Sequence, residues 1–575
     1  MSIQSTQQIK AGNLKDKIKL CYAELDKQHA AQRLYDRDAL FWKSDAENIK
    51  SINNRLGWLD VPTNAKELIA FATQIKSEGY KHAVLLGMGG SSLCSEVARQ
   101  TFGSQNGYPE LFVLDNTAPP AILHIQHQID MSRTLFIAAS KSGGTMETIS
   151  FFKYFYEQLK ATGFAEPGKN FVAITDDATP LVKMAEDYHF RKAFINRGDI
   201  GGRYSVLSDF GLLPMALMGI DIESMLASTK QMKDSCDQDI AVADNPGVGL
   251  GALLGTAERN GRNKITFVMS PSIQSFGYWV EQLIAESTGK EGRGLIPVMG
   301  EALGTPEVYD NDRVFVHMYL PMDGNKDDES KLLALEKAGH PIVRIEVADK
   351  IELGGEFYRW EVATAIAGAV IGINPFNEPN VAEGKKNTND LLEERSKAGI
   401  FKKPDLLLRE NELLFYGSNA IKQIGDRGHI PLKEFINEFI ELVKPQDYIS
   451  LLCYFEETNS RTEALQNWRM QLRDEVKVAT TLSYGPRYLH STGQLHKGGP
   501  ATGAYIILTG DNKEPIPIPG EKFGFEVLNE AQSLGDFRSL NDKGRKVIYI
   551  QLGKDIDKGI KDLLQSLHST VSQNG

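Results

Sequence analysis

Short apolar segments alternate with helical patterns along this chain, and this alternation limits the possible folds more than any other feature. The first five apolar segments predict strands at residues 83–86, 111–114, 135–139, 171–175 and 193–196. Parallel strands need a crossover of roughly a dozen residues or more between them, usually a helix. The spacing therefore predicts an α/β fold with a doubly wound parallel sheet covered by helices on both faces.

The same alternation recurs twice, and it divides the chain. A second series of strands is predicted at 265–269, 314–319 and 342–347, and a third at 448–455, 505–509 and 547–551. A chain of 575 residues is too long for one core. We predict a helical segment at 1–80, two related α/β domains at 81–240 and 241–390, and a C-terminal α/β extension at 400–575. The polar stretch 387–411 is expected to connect the last two.

Composition and charge exclude several classes of protein. The chain has 64 basic and 75 acidic residues, a net charge of −11, and no basic block. This argues against nucleic acid or an anionic membrane as a partner. The most apolar stretch, 362–373, is too short to span a bilayer and predicts a buried helix. Without a secretory signal or metal-like cysteine spacing, we expect a cytoplasmic protein with no metal.

A glycine-rich turn follows the first predicted strand, with the sequence GMGGSS at 87–92. Glycines let the backbone approach a ligand closely, and a helix N-terminus favours an anion. Because Ser92 occupies the third glycine position, the turn does not match a dinucleotide fingerprint. A tight strand-to-helix turn explains it equally well. The candidate substrate contacts here are Gly89, Gly90 and Ser91.

The segment SKSGGTMET at 140–148 follows the third predicted strand and predicts a phosphate site. Hydroxyls and backbone N–H groups of such a turn point at phosphate oxygens, and the next helix adds its dipole. Helix capping explains one serine or threonine but not the cluster. The spacing is not that of a nucleotide-hydrolysing P-loop. The candidate phosphate ligands are Ser140, Lys141, Ser142 and Thr145, with Glu147 as a further substrate contact.

Two further motifs could supply catalytic groups. In GGRYS at 201–205, two glycines precede Arg203, which could reach into a cleft and stabilise an oxyanion. In the helix predicted at 278–286, Gln282 and Glu286 share one face. That helix is otherwise apolar, so burial would raise the pKa of Glu286 and suit a general base. A surface arginine and a solvated glutamate are the commoner alternatives.

Two polar, turn-rich segments, at 374–386 and 490–499, each place a basic group beside glycine. A histidine can exchange protons near neutral pH. Each lone residue in these segments is more often structural than catalytic.

Together these motifs resemble the phosphoglucose isomerase family over roughly residues 80–390. The resemblance implies two sugar-isomerase (SIS-type) domains, a hexose 6-phosphate substrate and no cofactor. It implies conversion between glucose 6-phosphate and fructose 6-phosphate, with SKSGGTMET as the phosphate loop. It also implies Arg203 as the enediolate stabiliser, Glu286 as the base and Lys385 as the family lysine, with Lys386 as a shifted alternative.

The chain departs from the family at one catalytic position. The family usually has a histidine between the glutamate and lysine motifs, but the corresponding stretch 294–312 contains none. The nearest match is HSTGQLHKGG at 490–499. The C-terminal extension resembles the isomerase half of fused transaldolase/isomerase proteins, which implies that this chain is that half standing alone. His490 is then the expected ring-opening residue, followed by His496.

Two other functions remain open. Another phosphosugar isomerase, acting for instance on mannose 6-phosphate, would share the phosphate loop. A non-catalytic phosphosugar-sensing module would keep that loop without needing Arg203, Glu286 and Lys385. Neither the sugar epimer, nor a homo-oligomer, nor a transaldolase partner can be decided from the sequence.

Overall fold

The computed structural model describes residues 6–62, 65–324, 326–425, 430–511 and 515–568. In this part of the chain the strands form two sheets of five strands and one of six. Helices lie between nearly all the parallel strands, so the predicted α/β class with doubly wound sheets is confirmed. The division into four domains stays a prediction.

The N-terminal segment is mostly helical, as its apolar spacing predicts. Its elements are β1 (Gln7–Lys10), α1 (Lys15–Lys27), α2 (Ala30–Tyr35), α3 (Ala46–Asn53) and α4 (Lys66–Ser77). Strand β1 was not predicted, because a four-residue polar strand has little signal of its own. It forms only by pairing antiparallel with residues 342–345 at the edge of the second sheet.

The first sheet contains all five strands predicted for it, and all of them are parallel. They are β2 (His82–Gly87), β3 (Glu110–Leu114), β4 (Thr134–Ala139), β5 (Phe171–Asp176) and β6 (Lys192–Asn196), in the order β3-β2-β4-β5-β6. The accompanying helices are α5 (Leu93–Phe102), α6 (Pro119–Gln128), α7 (Met146–Ala161), α8 (Pro180–Asp187), α9 (Asp209–Leu217) and α10 (Ile222–Ser235). The strand order reverses between β2 and β4, and ligands bind at such a reversal in open α/β sheets.

The second sheet has parallel strands flanked by β1. Its strands are β7 (Lys264–Met269), β8 (Ile296–Val298), β9 (Arg313–Tyr319) and β10 (Ile342–Glu346), in the order β1-β10-β9-β7-β8. Its helices are α11 (Pro246–Arg259), α12 (Phe276–Thr288), α13 (Lys326–Lys337) and α14 (Leu353–Ile371). Helix α14 is the predicted buried helix and packs against α10 and α11. No described helix is both long and apolar enough to cross a membrane.

The third sheet is mixed, unlike the first. After helix α15 (Val381–Ala398) come β11 (Leu406–Glu410), β12 (Leu413–Gly417), α16 (Lys422–Gly425), α17 (Leu432–Glu441), β13 (Tyr448–Tyr454), α18 (Asn459–Val476), β14 (Ala479–Tyr484), α19 (Gly493–Gly498), β15 (Gly503–Thr509), α20 (Phe525–Asp542), β16 (Lys546–Gln551) and α21 (Ile556–His568). The strand order is β11-β12-β16-β15-β13-β14, and β11 and β12 form an antiparallel hairpin at one edge.

The stretch 387–411, expected to connect the second and third regions, is helical in its first half, which belongs to α15 and packs against α20. The segments expected to be turn-rich are partly helical, since Lys385 lies in α15 and residues 493–498 form α19. In both places tertiary packing stabilises helices that polar, glycine-containing sequences would not predict.

Candidate active site

Glu286 lies in the last turn of α12, inside the protein. Its side chain is 10% exposed, and its two carboxylate oxygens accept hydrogen bonds from Arg203 Nη1 at 3.2 Å and Gln282 Nε2 at 2.9 Å. Burial raises the pKa of Glu286. Arg203 opposes this rise and the nearby Glu378 carboxylate adds to it. A glutamate held in this way can act as a base close to neutral pH.

The guanidinium group of Arg203 donates hydrogen bonds to five neighbouring groups. It lies in a 3-10 turn at Gly202–Tyr204, shortly after β6, with its side chain 1% exposed. Its hydrogen bonds run to Ser287 Oγ (2.7 Å), Pro375 O (2.7 Å), Asn377 O (3.0 Å), Glu378 Oε2 (3.1 Å) and Glu286 Oε1 (3.2 Å). This network fixes a permanent positive charge beside the Glu286 carboxylate.

The glycine-rich turn after β2 fits against the same groups. Gly89 has a φ of +54°, and a Cβ there would lie 2.6 Å from the carbonyl oxygen of His490. A Cβ at Gly90 would lie 2.0 Å from the carbonyl oxygen of Gly202. Side chains at these two positions would therefore push the turn away from His490 and Arg203. Ser91, at the end of this turn, is 7% exposed.

The predicted phosphate loop joins β4 to the N-terminus of α7. Ser140 is buried, and its Oγ lies 2.8 Å from Thr145 Oγ1, whereas Ser142 is exposed. Lys141 turns away from these hydroxyls. Its ammonium contacts the Asp176 carboxylate and donates to Gly198 O at 3.3 Å. A bound phosphate would have to compete with Asp176 for Lys141.

His490 and Glu147 form a pair at the edge of this loop. His490 Nε2 lies 3.1 Å from Glu147 Oε1, and the same oxygen accepts a 2.7 Å hydrogen bond from Gln532 Nε2. Burial opposes ionisation of Glu147, but the neighbouring His490 and Lys385 outweigh it and lower the pKa of Glu147. The carbonyl of His490 also accepts a 2.8 Å hydrogen bond from Gln282. The His490 segment of the C-terminal extension thus contacts α12, which carries Gln282 and Glu286, and the predicted phosphate loop of its own chain.

A cavity of about 110 Å³ lies between α7, α15 and the His490 segment. Glu147, His490 and Lys385 line it together with Lys497 and Gln532. Lys386, the shifted alternative, instead pairs with Asp390 on the solvent side of α15. The lysine motif therefore directs Lys385 towards the other candidate residues.

His496 occupies a different environment from His490. It is 2% exposed, and its ring lies beside those of Tyr488 and Tyr505. Burial lowers the pKa of His496 to about 3. A histidine that stays neutral across the physiological range is suited to packing rather than to proton exchange.

Three site residues were missed from the sequence. Ser287 directly follows Glu286, and Glu378 lies in the polar segment 374–386, but their contacts with Arg203 depend on how distant segments meet. Gln532 lies in α20, where no local motif distinguishes it, and it reaches Glu147 across 385 residues of sequence. No sequence signal in this chain could have identified Gln532.

Two solved structures share the α/β fold of this chain. A hypothetical protein of Thermus thermophilus matches with a TM-score of 0.58, covering 67% of this chain and 99% of its own, at 22% identity. A glucose-6-phosphate isomerase of Chlamydia trachomatis matches with a TM-score of 0.50, covering 64% of this chain and 78% of its own, at 18% identity.

Sequence comparison gives matches to one family. The phosphoglucose isomerase family profile matches residues 71–294. A probable glucose-6-phosphate isomerase of Methanococcus maripaludis is 28% identical over 60% of this chain and 85% of its own length. A glucose-6-phosphate isomerase of Campylobacter jejuni is 27% identical over 62% of this chain and 99% of its own. The profile and these relatives support the resemblance to the phosphoglucose isomerase family. The resemblance of the chain to the fused transaldolase proteins stays a prediction.

Proposed function

We propose that this chain interconverts glucose 6-phosphate and fructose 6-phosphate by proton transfer through an enediolate, without a cofactor. The observation that carries the proposal is the buried Glu286 carboxylate, held between Arg203 and Gln282. Gln282 also bonds the backbone of His490, which pairs with Glu147 beside the predicted phosphate loop. The Glu286 carboxylate, the Arg203 cation and the His490–Glu147 pair thus belong to one hydrogen-bonded network.

The substrate would be anchored by its phosphate. Ser140, Ser142 and Thr145 supply hydroxyls next to the N-terminus of α7, whose free N–H groups and dipole favour an anion. Lys141 would join them by exchanging Asp176 for the phosphate. Binding energy gained at the phosphate orients C1 and C2 at the base without taking part in the chemistry.

Ring opening needs a proton moved between the ring oxygen and the C1 hydroxyl. His490 is the group we assign to this step, because the ionised Glu147 can orient its imidazole and stabilise the imidazolium form. Lys385 lines the same cavity and would add positive charge near the ring oxygen.

Isomerisation then takes place at Glu286. Its carboxylate would remove the proton from C2 and return it to C1, and a raised pKa makes it a stronger base than an ordinary glutamate. The enediolate that forms in between is negatively charged. Arg203, already fixed in position, would stabilise that charge with little reorganisation.

A coupled assay tests this function directly. Fructose 6-phosphate is supplied together with a dehydrogenase specific for glucose 6-phosphate, and mannose 6-phosphate is tested in parallel as substrate. We expect turnover of fructose 6-phosphate and much slower conversion of mannose 6-phosphate. Tight binding of fructose 6-phosphate without turnover would instead indicate a sensing module.

We also propose a cytoplasmic location for the protein. The proposed site residues all come from one chain, and a homo-oligomer is compatible with that arrangement.

A further inference from the structure

A second cavity, of about 560 Å³, lies where the carboxyl ends of two sheets face each other. Residues 267–269 at the end of β7 and residues 482–484 at the end of β14 line it, together with the start of α12. None of the residues to which we assign catalysis or phosphate binding is part of its wall. Ligands in open α/β sheets bind outside the carboxyl ends of the strands, and the volume suits a small molecule.

Two polar side chains in this wall lack partners. Ser491 is 3% exposed, and its Oγ has no hydrogen-bond partner among the residues that the structure describes. The Glu281 side chain is of intermediate exposure, and its carboxylate makes no hydrogen bond and no direct ion pair with the residues that the structure describes, although Arg469 and Arg487 act on it from further away. Buried polar groups in proteins are nearly always paired. Both groups are therefore available to a molecule in the cavity.

The charged side chains in the cavity wall indicate what kind of molecule the cavity would bind. The connection from β7 to α12 repeats the strand-to-helix arrangement that carries the phosphate loop in the first sheet, but here the first turns of the helix present Glu281. The cations in the wall are already bound, since Arg487 pairs with Asp115 and Lys331 donates to Leu303 O at 3.0 Å. A phosphate would meet a carboxylate instead of a free cation, whereas an ammonium group would be attracted.

The behaviour of Glu281 agrees with a cationic ligand. Burial raises the pKa of Glu281 to about 7, and Arg469 and Arg487 oppose this rise. An ammonium group at hydrogen-bond distance would favour the ionised carboxylate and form a charge-assisted hydrogen bond with it. The rest of the polar wall includes three further carboxylates, of Glu301, Asp328 and Glu457. It also includes amides, hydroxyls and tyrosine rings, among them Gln100, Gln274, Gln466, Thr462, Ser483 and Tyr278.

We propose that this cavity binds a small polyhydroxylated amine of the amino-sugar class. Its ammonium pairs with the Glu281 carboxylate, one of its hydroxyls bonds Ser491 Oγ, and its ring lies against the tyrosine and glutamine side chains. The site is separate from the isomerase centre, so its ligand need not carry a phosphate.

Calorimetry on the full chain tests the proposal with glucosamine as the probe. Glucose and N-acetylglucosamine, which lack the ammonium group, are the comparison ligands. Glucosamine should bind, and both comparison ligands should bind at least about tenfold more weakly, as expected from the loss of one charge-assisted hydrogen bond. Saturating fructose 6-phosphate should not displace glucosamine, which separates this site from the isomerase centre.

Substitutions in the cavity wall test whether glucosamine binds in this cavity. Glu281→Gln should weaken glucosamine binding by about tenfold or more, while its isomerase turnover shows that the protein is folded. Ser491→Ala should weaken it by a smaller factor, and Glu47→Gln, which removes an exposed carboxylate, should leave it unchanged. Equal affinity of glucosamine for wild type and Glu281→Gln, or its displacement by fructose 6-phosphate, would overturn the proposal.

Discussion

Replacing Glu378 with glutamine should change the pH range in which the protein is active. Glu378 and Glu286 both accept hydrogen bonds from Nη1 of Arg203. The pKa of Glu286 is raised by burial and by the negative charge of Glu378, and it is lowered by Arg203. Glu378→Gln keeps a hydrogen-bond acceptor at Arg203 but removes the competing charge. The pKa of Glu286 should therefore fall.

The size of this effect follows from the geometry. The two carboxylate oxygens lie 3.2 and 3.1 Å from one nitrogen, so they are at most about 6 Å apart. At an effective dielectric constant of about 20, this repulsion is roughly 2–3 kcal/mol, or about two pH units. The Glu378 side chain is 37% exposed, and solvent screening reduces the expected shift to about one unit.

The direction of the change in the pKa of Glu286 determines what the assay should show. Glu286 must be ionised to act as a base, so a lower pKa keeps the variant active at lower pH. The acid limb of the pH profile of kcat/KM should move down by about one unit. Glu383→Gln, on the same segment but paired with Lys543, is the matched control and should leave the limb in place. An acid limb that stays put or moves up in Glu378→Gln would refute the assignment of the titrating base to Glu286.

Three further variants test the remaining parts of the site. Removing Lys141 and Thr145 together, as Lys141→Ala/Thr145→Ala, should weaken hexose 6-phosphate binding by about tenfold or more in calorimetry, with far less effect on unphosphorylated sugar; unchanged affinity would contradict the phosphate loop. His490→Ala should lower turnover of cyclic substrate by roughly 10²–10⁴-fold yet still exchange the C2 proton of open-chain substrate. His496→Ala should affect stability more than ring opening, and the reverse pattern would reassign the two histidines.

The sequence predicts the first sheet well because its inner strands β2, β4 and β5 are buried on both faces and appear as apolar runs. The edge strands β8 and β14 of the other two sheets were missed because they lack such a run. β8 has three residues, one of them proline, and β14 (ATTLSY) is rich in hydroxyls, so each depends on its neighbours for pairing. β11 pairs with the following β12 in a hairpin, and β11 lies inside the stretch 387–411, whose polar composition predicts a connector.

The candidate site could be predicted only where its residues lie in short motifs. The phosphate loop, Arg203 and Glu286 are indicated by the residue types of their motifs, whereas Lys385 follows from the family resemblance. The partners that tune them are not local. Asp176 holds Lys141, and Glu378 shares Arg203 with the base, because separate segments of the chain meet in space. Contacts of this kind between distant segments cannot be predicted from the spacing of residues in the sequence.

The central claim is that Glu286 moves the proton between C2 and C1, and the Glu286→Gln variant in deuterated water tests it most directly. The change keeps the shape and hydrogen bonding of the side chain but removes the base. We predict that turnover falls by roughly 10²–10⁴-fold or more, that binding of fructose 6-phosphate changes little, and that exchange of the C2 hydrogen with solvent disappears together with turnover. Exchange that continues at the wild-type rate in Glu286→Gln would contradict the account and assign the base to another residue.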